Sequence, residues 1–177
     1  MNTLAPVDPY GVLIEPDTMK LERLLPGPIE RVWTYLAESD LRSQWLAAGD
    51  MPMKIDASFE LVWRNDTLSH PPSKRPEGFS EVQRMQSRIV ELDPPRRLTI
   101  SWGGSGSVSF NLEPRDSDVL LTVIHRRMPD RAAALMFGAG WHMHLDTLAA
   151  RINGQPPQPF WDGWTRLKSD YDRVLPA

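Results

Sequence analysis

Histidine is the side chain that most readily binds a metal or moves a proton near neutral pH, and the chain has four: His70, His125, His142 and His144. The closest spacing is His142-Met143-His144. On a helix, residues i and i+2 point about 200° apart, so these two cannot share one ion. Zinc needs three or four convergent ligands, and the scattered His70 and His125 do not complete a set, so no metal and no cofactor are expected. The chain has no cysteine, which removes disulfides, thiolate metal sites and a cysteine nucleophile. There is no G-x-S-x-G, H-E-x-x-H or dinucleotide-binding fingerprint. Gly103-Gly104-Ser105-Gly106 lacks the Lys-Ser/Thr of a phosphate loop and leads into a strand, so it reads as a hairpin turn. Arg84 and Arg88 share a strand face with Val82 and Val90. Turned inward, that face would offer a guanidinium to an acidic ligand, but the opposite face, with Met85 and Ile89, is the better inward candidate. No catalytic residue is assigned. His125, His144 and Arg84 are the groups an enzyme built on this chain would have to use.

The other conspicuous chemistry is aromatic. Seven tryptophans in 177 residues exceed what packing of a small protein requires, and a tryptophan-rich interior often borders a pocket. A net charge of −3 and no basic stripe argue against nucleic acid. The first residues, MNTLAPVDPYG, have neither the basic region nor the apolar core of a signal peptide. No apolar run approaches the roughly 20 residues needed to cross a bilayer. A cytoplasmic protein, monomeric or homodimeric, is the expectation.

The elements that must position these groups are legible from their periods. Residues 1–17 carry Pro6, Pro9 and Pro16 and read as an extended arm, with alternating Tyr10, Val12 and Ile14 along a sheet edge. Met19 to Leu25 alternates as a first strand. Ile29, Val32, Trp33 and Leu36 make an amphipathic helix with Pro28 at its first position, and Ser39-Asp40 starts a second short helix running through Trp45 to Gly49. The period then changes from 3.6 to 2. Phe59/Leu61/Trp63, Leu98/Ile100/Trp102, Val108/Phe110/Leu112 and Val119/Leu121/Val123 each mark one strand face, and Glu81 to Leu92 is a further strand. Turns this short join antiparallel neighbours, since parallel strands need long crossovers. The stretch DRAAALMFGAGWHMHLDTLAARING, residues 130–154, is one long helix. Asp130 caps it, Gly154 ends it, and Ala134, Phe137, Gly138, Trp141, Leu145, Leu148 and Ile152 form its apolar stripe. Met143, Thr147 and Ala150 fall on the far side. A tail helix presents Phe160, Trp164, Leu167, Tyr171 and Val174. The fold class is therefore α+β, a curved antiparallel sheet of six or seven strands around a long C-terminal helix, with residues 18–177 as one domain.

In this order the elements resemble the helix-grip fold of the START-related, birch-pollen-allergen-like superfamily, SRPBCC, and more narrowly the bacterial branch of the family named for the activator of the heat-shock-protein-90 ATPase. PGPIERVWTYLAESDLRSQWL (26–46), GSVSFNLEP (106–114), GWHMHLDTLAARING (140–154) and PFWDGWTRLKSDY (159–171) carry the likeness. It implies a deep cavity between sheet and long helix, where members of the superfamily hold apolar molecules and a few act as cyclases or hydrolases. The namesake's effect on the chaperone involves another domain as well, for which this length leaves no room.

The leading expectation is thus a binding module for a small hydrophobic molecule. Trp33, Trp45, Trp63, Trp102, Phe110, Trp141, His144, Leu145 and Leu148 are expected to line its cavity. A cyclase or hydrolase working in the same cavity, and a chaperone-related protein-interaction module, are the alternatives.

Overall fold

The computed structural model describes residues 7–177, so the start of the expected N-terminal arm lies outside the described residues. The strands are β1 (Val12–Glu15), β2 (Thr18–Pro26), β3 (Ser58–Trp63), β4 (Gln83–Asp93), β5 (Arg97–Trp102), β6 (Gly106–Arg115) and β7 (Asp118–Arg126). Among the described residues these seven form a single antiparallel sheet in the order β1-β2-β7-β6-β5-β4-β3. It is curved and unclosed, with β1 and β3 as its two edges. Its bend is built into β4. Gln83–Arg88 pair with β3, Ile89–Asp93 pair with β5, and the register shifts between Ile89 and Glu91. An irregularity of this kind lets a strand change direction without losing both neighbours. The inward residues are those that alternation marks: Leu98, Ile100, Val108, Phe110, Leu112, Val119, Leu121 and Val123 are all buried. On β4, Met85 and Ile89 face inward, while Arg84 points out and pairs with Glu60 at 2.8 Å.

Two short helices, α1 (Ile29–Ala37) and α2 (Ser39–Arg42), link β2 to β3. Pro28 stands one place earlier than the sequence suggests, as the N-cap of α1 with extended backbone. The second helix stops at Arg42 instead of running through Trp45. The cause is Arg42 itself, whose buried guanidinium donates to the carbonyls of Leu36, Ala47 and Gly49 and so wraps the following chain around its own side chain. Gly49, with φ at +132°, sits against the Glu60 backbone, where a Cβ has no room.

The long helix α3 (Arg131–Ile152) begins where Asp130 Oδ1 accepts from the Ala133 N–H at 2.8 Å. Its apolar stripe lies on the sheet, yet its far side is not open to solvent: Met143 and Thr147 are buried as well. The tail helix α4 (Phe160–Val174) packs along α3, and Gly163 of α4 sits directly on the Met143 thioether. Beside it runs a polar seam. Tyr171 Oη accepts from the Gly11 N–H at 2.7 Å and shares a hydrogen bond with His142 Nδ1 at 2.9 Å. His142 Nε2 faces Asp146 at 3.4 Å, and Arg23 donates to the same carboxylate at 2.9 Å. The seam joins the arm, β2, α3 and α4. Within α4 the buried face is Phe160, Trp161, Trp164, Leu167 and Tyr171, whereas Val174, expected inside, is exposed and Leu175 takes its place.

Candidate functional site

Between the concave face of the sheet, the N-terminal half of α3 and the start of α4 lies a cavity of about 690 Å³. Three sequence-distant tryptophans form one continuous wall. The Trp63 and Trp102 rings meet edge-on with centroids 5.4 Å apart, and Trp102 and Trp141 lie 5.3 Å apart. Aromatic pairs favour such offset and edge-to-face contacts because the ring face is negative and the edge positive. Phe137 continues the wall from α3, one turn before Trp141. The opposite side comes from the start of α4, Phe160, Trp161 and Trp164, with Phe79 placed 5.0 Å from both indoles. The loop that carries Phe79 is pinned there by Trp161, whose indole N–H donates to Asp66 Oδ1 at 2.7 Å. The β5–β6 turn, Arg127 and Pro129 border the same space.

Helix α3 makes room for this space with a glycine. A Cβ on Gly140 would meet only Trp164 Nε1, at 4.0 Å. Gly138, two residues earlier, serves a different purpose: a Cβ there would press on the Met19 side chain of β2 and on Tyr171 of α4 at 3.1–3.4 Å. One glycine keeps the cavity empty and the other lets three elements approach.

Two histidines interrupt the aromatic wall. His125 on β7 is buried, 4.5 Å from Phe137 by ring centroids, and its Nδ1 accepts from the Trp141 indole N–H at 3.0 Å. His144 on α3 is also buried, and its Nδ1 lies 2.8 Å from the Trp45 carbonyl. A carbonyl oxygen can only accept, so that nitrogen carries the hydrogen. Burial pushes the pKa of both rings down to about 4, so both are neutral at pH 7. Asn65 also borders the cavity, and its Oδ1 is buried without a partner among the described residues.

Of the residues expected at the site, Trp63, Trp102, Trp141 and His144 come together on the cavity wall. Phe110 stands 5.7 Å behind Trp141, and Trp45 supports His144 from behind through its carbonyl. Leu145 and Leu148 are fully buried in the core, and Trp33 is half-buried on α1 away from the cavity. Sequence reasoning had His125 only as a group that an enzyme in this cavity would use, and left Phe137, Phe79, Phe160, Trp161 and Trp164 out of the lining. Phe137 carried a signal as part of the apolar stripe of α3, and α4 carried another. Phe160 and Trp164 share a helix face while Trp161 lies about 100° away, so burying all of them requires two covering surfaces. Groups of three or more histidine, aspartate or glutamate side chains placed to hold a metal are absent among the described residues. No helix there is long and apolar enough to cross a membrane.

Residues 26–153 match the family model described as Activator of Hsp90 ATPase homolog 1-like protein. The fold is shared with a Bordetella parapertussis protein solved by NMR, at 34% identity and a TM-score of 0.79 over 100% of this chain and 97% of that one. CalU16 from Micromonospora echinospora superposes with a TM-score of 0.66 at 20% identity, over 89% of this chain and 87% of its own. DynU16, a protein in the dynemicin biosynthetic locus, gives 0.63 at 21% identity over 82% of this chain and 51% of its own. No curated protein matches in sequence.

Proposed function

This chain belongs to the activator of Hsp90 ATPase homologue 1-like family, within the SRPBCC helix-grip superfamily, and from that premise we propose that it binds a small, largely apolar molecule between its sheet and α3. The observation that carries the reading is the cavity: about 690 Å³, walled by tryptophan and phenylalanine from separate elements. Pockets for small molecules commonly measure about 300–1,000 Å³ and combine apolar walls with a few polar groups. Protein interiors leave few gaps larger than a water molecule, so an aromatic-lined recess of this size supports the binding reading. Affinity comes from apolar ligand surface leaving water, at about 25 cal/mol per Å².

Binding is favoured over proton-transfer catalysis because neutral histidines with a pKa near 4 are weak bases at neutral pH. The test is titration with the fluorescent apolar probe N-phenyl-1-naphthylamine, read by its emission and by quenching of tryptophan. Saturable one-to-one binding is expected for the wild type. Gly140→Leu projects a side chain into the cavity and is expected to weaken binding at least tenfold while the far-ultraviolet dichroism stays unchanged. No saturable response in the wild type, or equal affinity in the variant, would overturn the reading.

A further inference from the structure

We propose that the ligand is not a bare hydrocarbon but an uncharged, aryl-sized molecule carrying both a hydrogen-bond acceptor and a donor, met by His125 and His144 respectively. The inference rests on the cavity being the ligand site, and it names the ligand's chemistry. Its basis is that the protein fixes the tautomer of each ring. His125 Nδ1 is occupied as an acceptor by the Trp141 N–H, so the hydrogen of the neutral ring is on Nε2. His144 Nδ1 must donate to the Trp45 carbonyl, so its Nε2 keeps a bare lone pair. Neither Nε2 has a protein partner among the described residues. Neither is sealed away: Asn65 Oδ1 and Arg97 Nε are the buried side-chain polar atoms found there without partners. The space that both imidazoles border is the cavity. Each ring centroid lies 6.4 Å from that of Trp141, so both imidazoles neighbour one shared indole.

A polar atom facing an apolar cavity loses its water when a ligand enters, and costs free energy unless the ligand replaces that partner. A pure hydrocarbon would strand both nitrogens. A hydroxyaryl ketone satisfies both: its carbonyl accepts from His125 Nε2–H and its hydroxyl donates to His144 Nε2. Burial, which keeps both rings neutral at pH 7, preserves this pattern of one donor and one acceptor.

Three probes of one shape separate the terms: 4-hydroxybenzophenone, benzophenone and diphenylmethane, titrated by calorimetry into wild type, His125→Asn and His144→Asn. Asparagine retains a short amide in place of Nδ1, able to accept from Trp141 or donate to Trp45, and removes the Nε2 that has no protein partner. We expect 4-hydroxybenzophenone to lose about five- to tenfold in affinity in each variant. Benzophenone should lose it only in His125→Asn, and diphenylmethane in neither, which also verifies that the cavity is intact. If all three probes bind but the variants change their affinities equally or not at all, the donor–acceptor assignment is wrong while the cavity remains a ligand site. If none of the probes binds the wild type and N-phenyl-1-naphthylamine does not bind either, both readings fail together. If only N-phenyl-1-naphthylamine binds, the hydroxyaryl ketone class is excluded.

Discussion

At the scale of single residues, the interior of this protein is unusual for its neutral histidines. His125, His142 and His144 are all buried, and in each burial is the main reason that the pKa falls to about 4. For His142 the neighbouring Asp146 opposes the shift without cancelling it, so at pH 7 the 3.4 Å approach is that of a neutral ring to a carboxylate, not an ion pair. The sign of the pH dependence follows. In the unfolded chain histidine takes up its proton near pH 6.5, whereas the folded rings resist until about pH 4. Between these limits the unfolded state binds more protons, so stability is fully present above pH 6.5 and declines as pH falls. Each histidine contributes about 1.4 kcal/mol per pH unit within that window. The midpoint of urea unfolding is therefore expected to drop steeply between pH 7 and pH 5. A midpoint that stays constant over that range would mean that these rings are already protonated or solvated in the native state.

At the scale of elements, α3 shows how one helix serves two purposes along its length. Its two internal glycines cost the same intrinsic helix propensity, up to about 1 kcal/mol each relative to alanine, but their surroundings differ. Gly140→Ala places a methyl group in free space and should stabilise the protein by about 0.5–1 kcal/mol. Gly138→Ala forces Met19 and Tyr171 to yield by a few tenths of an ångström, so the gain in propensity is lost or reversed. Thermal unfolding of the two single variants checks this, and equal shifts in Tm would refute the division of roles. The sequence alone places both glycines inside the helix. It could not separate them, because what each one touches belongs to β2, α4 and the cavity, all distant in the chain.

At the scale of the whole molecule, α4 is as much a part of the core as the sheet is. It buries Phe160, Trp161, Trp164, Leu167 and Tyr171, and each such side chain stabilises by about 1.5–3 kcal/mol when buried. Their sum is comparable with the whole stability of an ordinary domain, about 5–15 kcal/mol. A chain ending at Pro159 would also leave Met143 in water, His142 without its tyrosine partner and the cavity without one wall. We expect that truncation to abolish cooperative thermal unfolding. A truncated chain that melts with a sharp transition near that of the full one would show that α4 is an accessory.

The sequence by itself determined what depends on neighbours within a few positions. Alternation on β3 and β5 to β7, the Asp130 cap, the turn at Gly103 to Gly106, and the stripe of α3 are all products of local backbone geometry and period. They sufficed for the fold class, and with the cavity that the family resemblance implies they pointed to Trp63, Trp102, Trp141 and His144, which border it, and to Trp33, Trp45, Phe110, Leu145 and Leu148, which do not. The tertiary structure alone decided that the far side of α3 is covered, that α2 stops at Arg42, and that His125, Phe79 and the start of α4 enclose the same space as Trp102. The reason is geometric. A period tells which residues of an element point the same way, but where two elements converge is fixed by the curvature of the sheet and the path of the loops. Those are properties of the packed chain, and no stretch of it carries them alone.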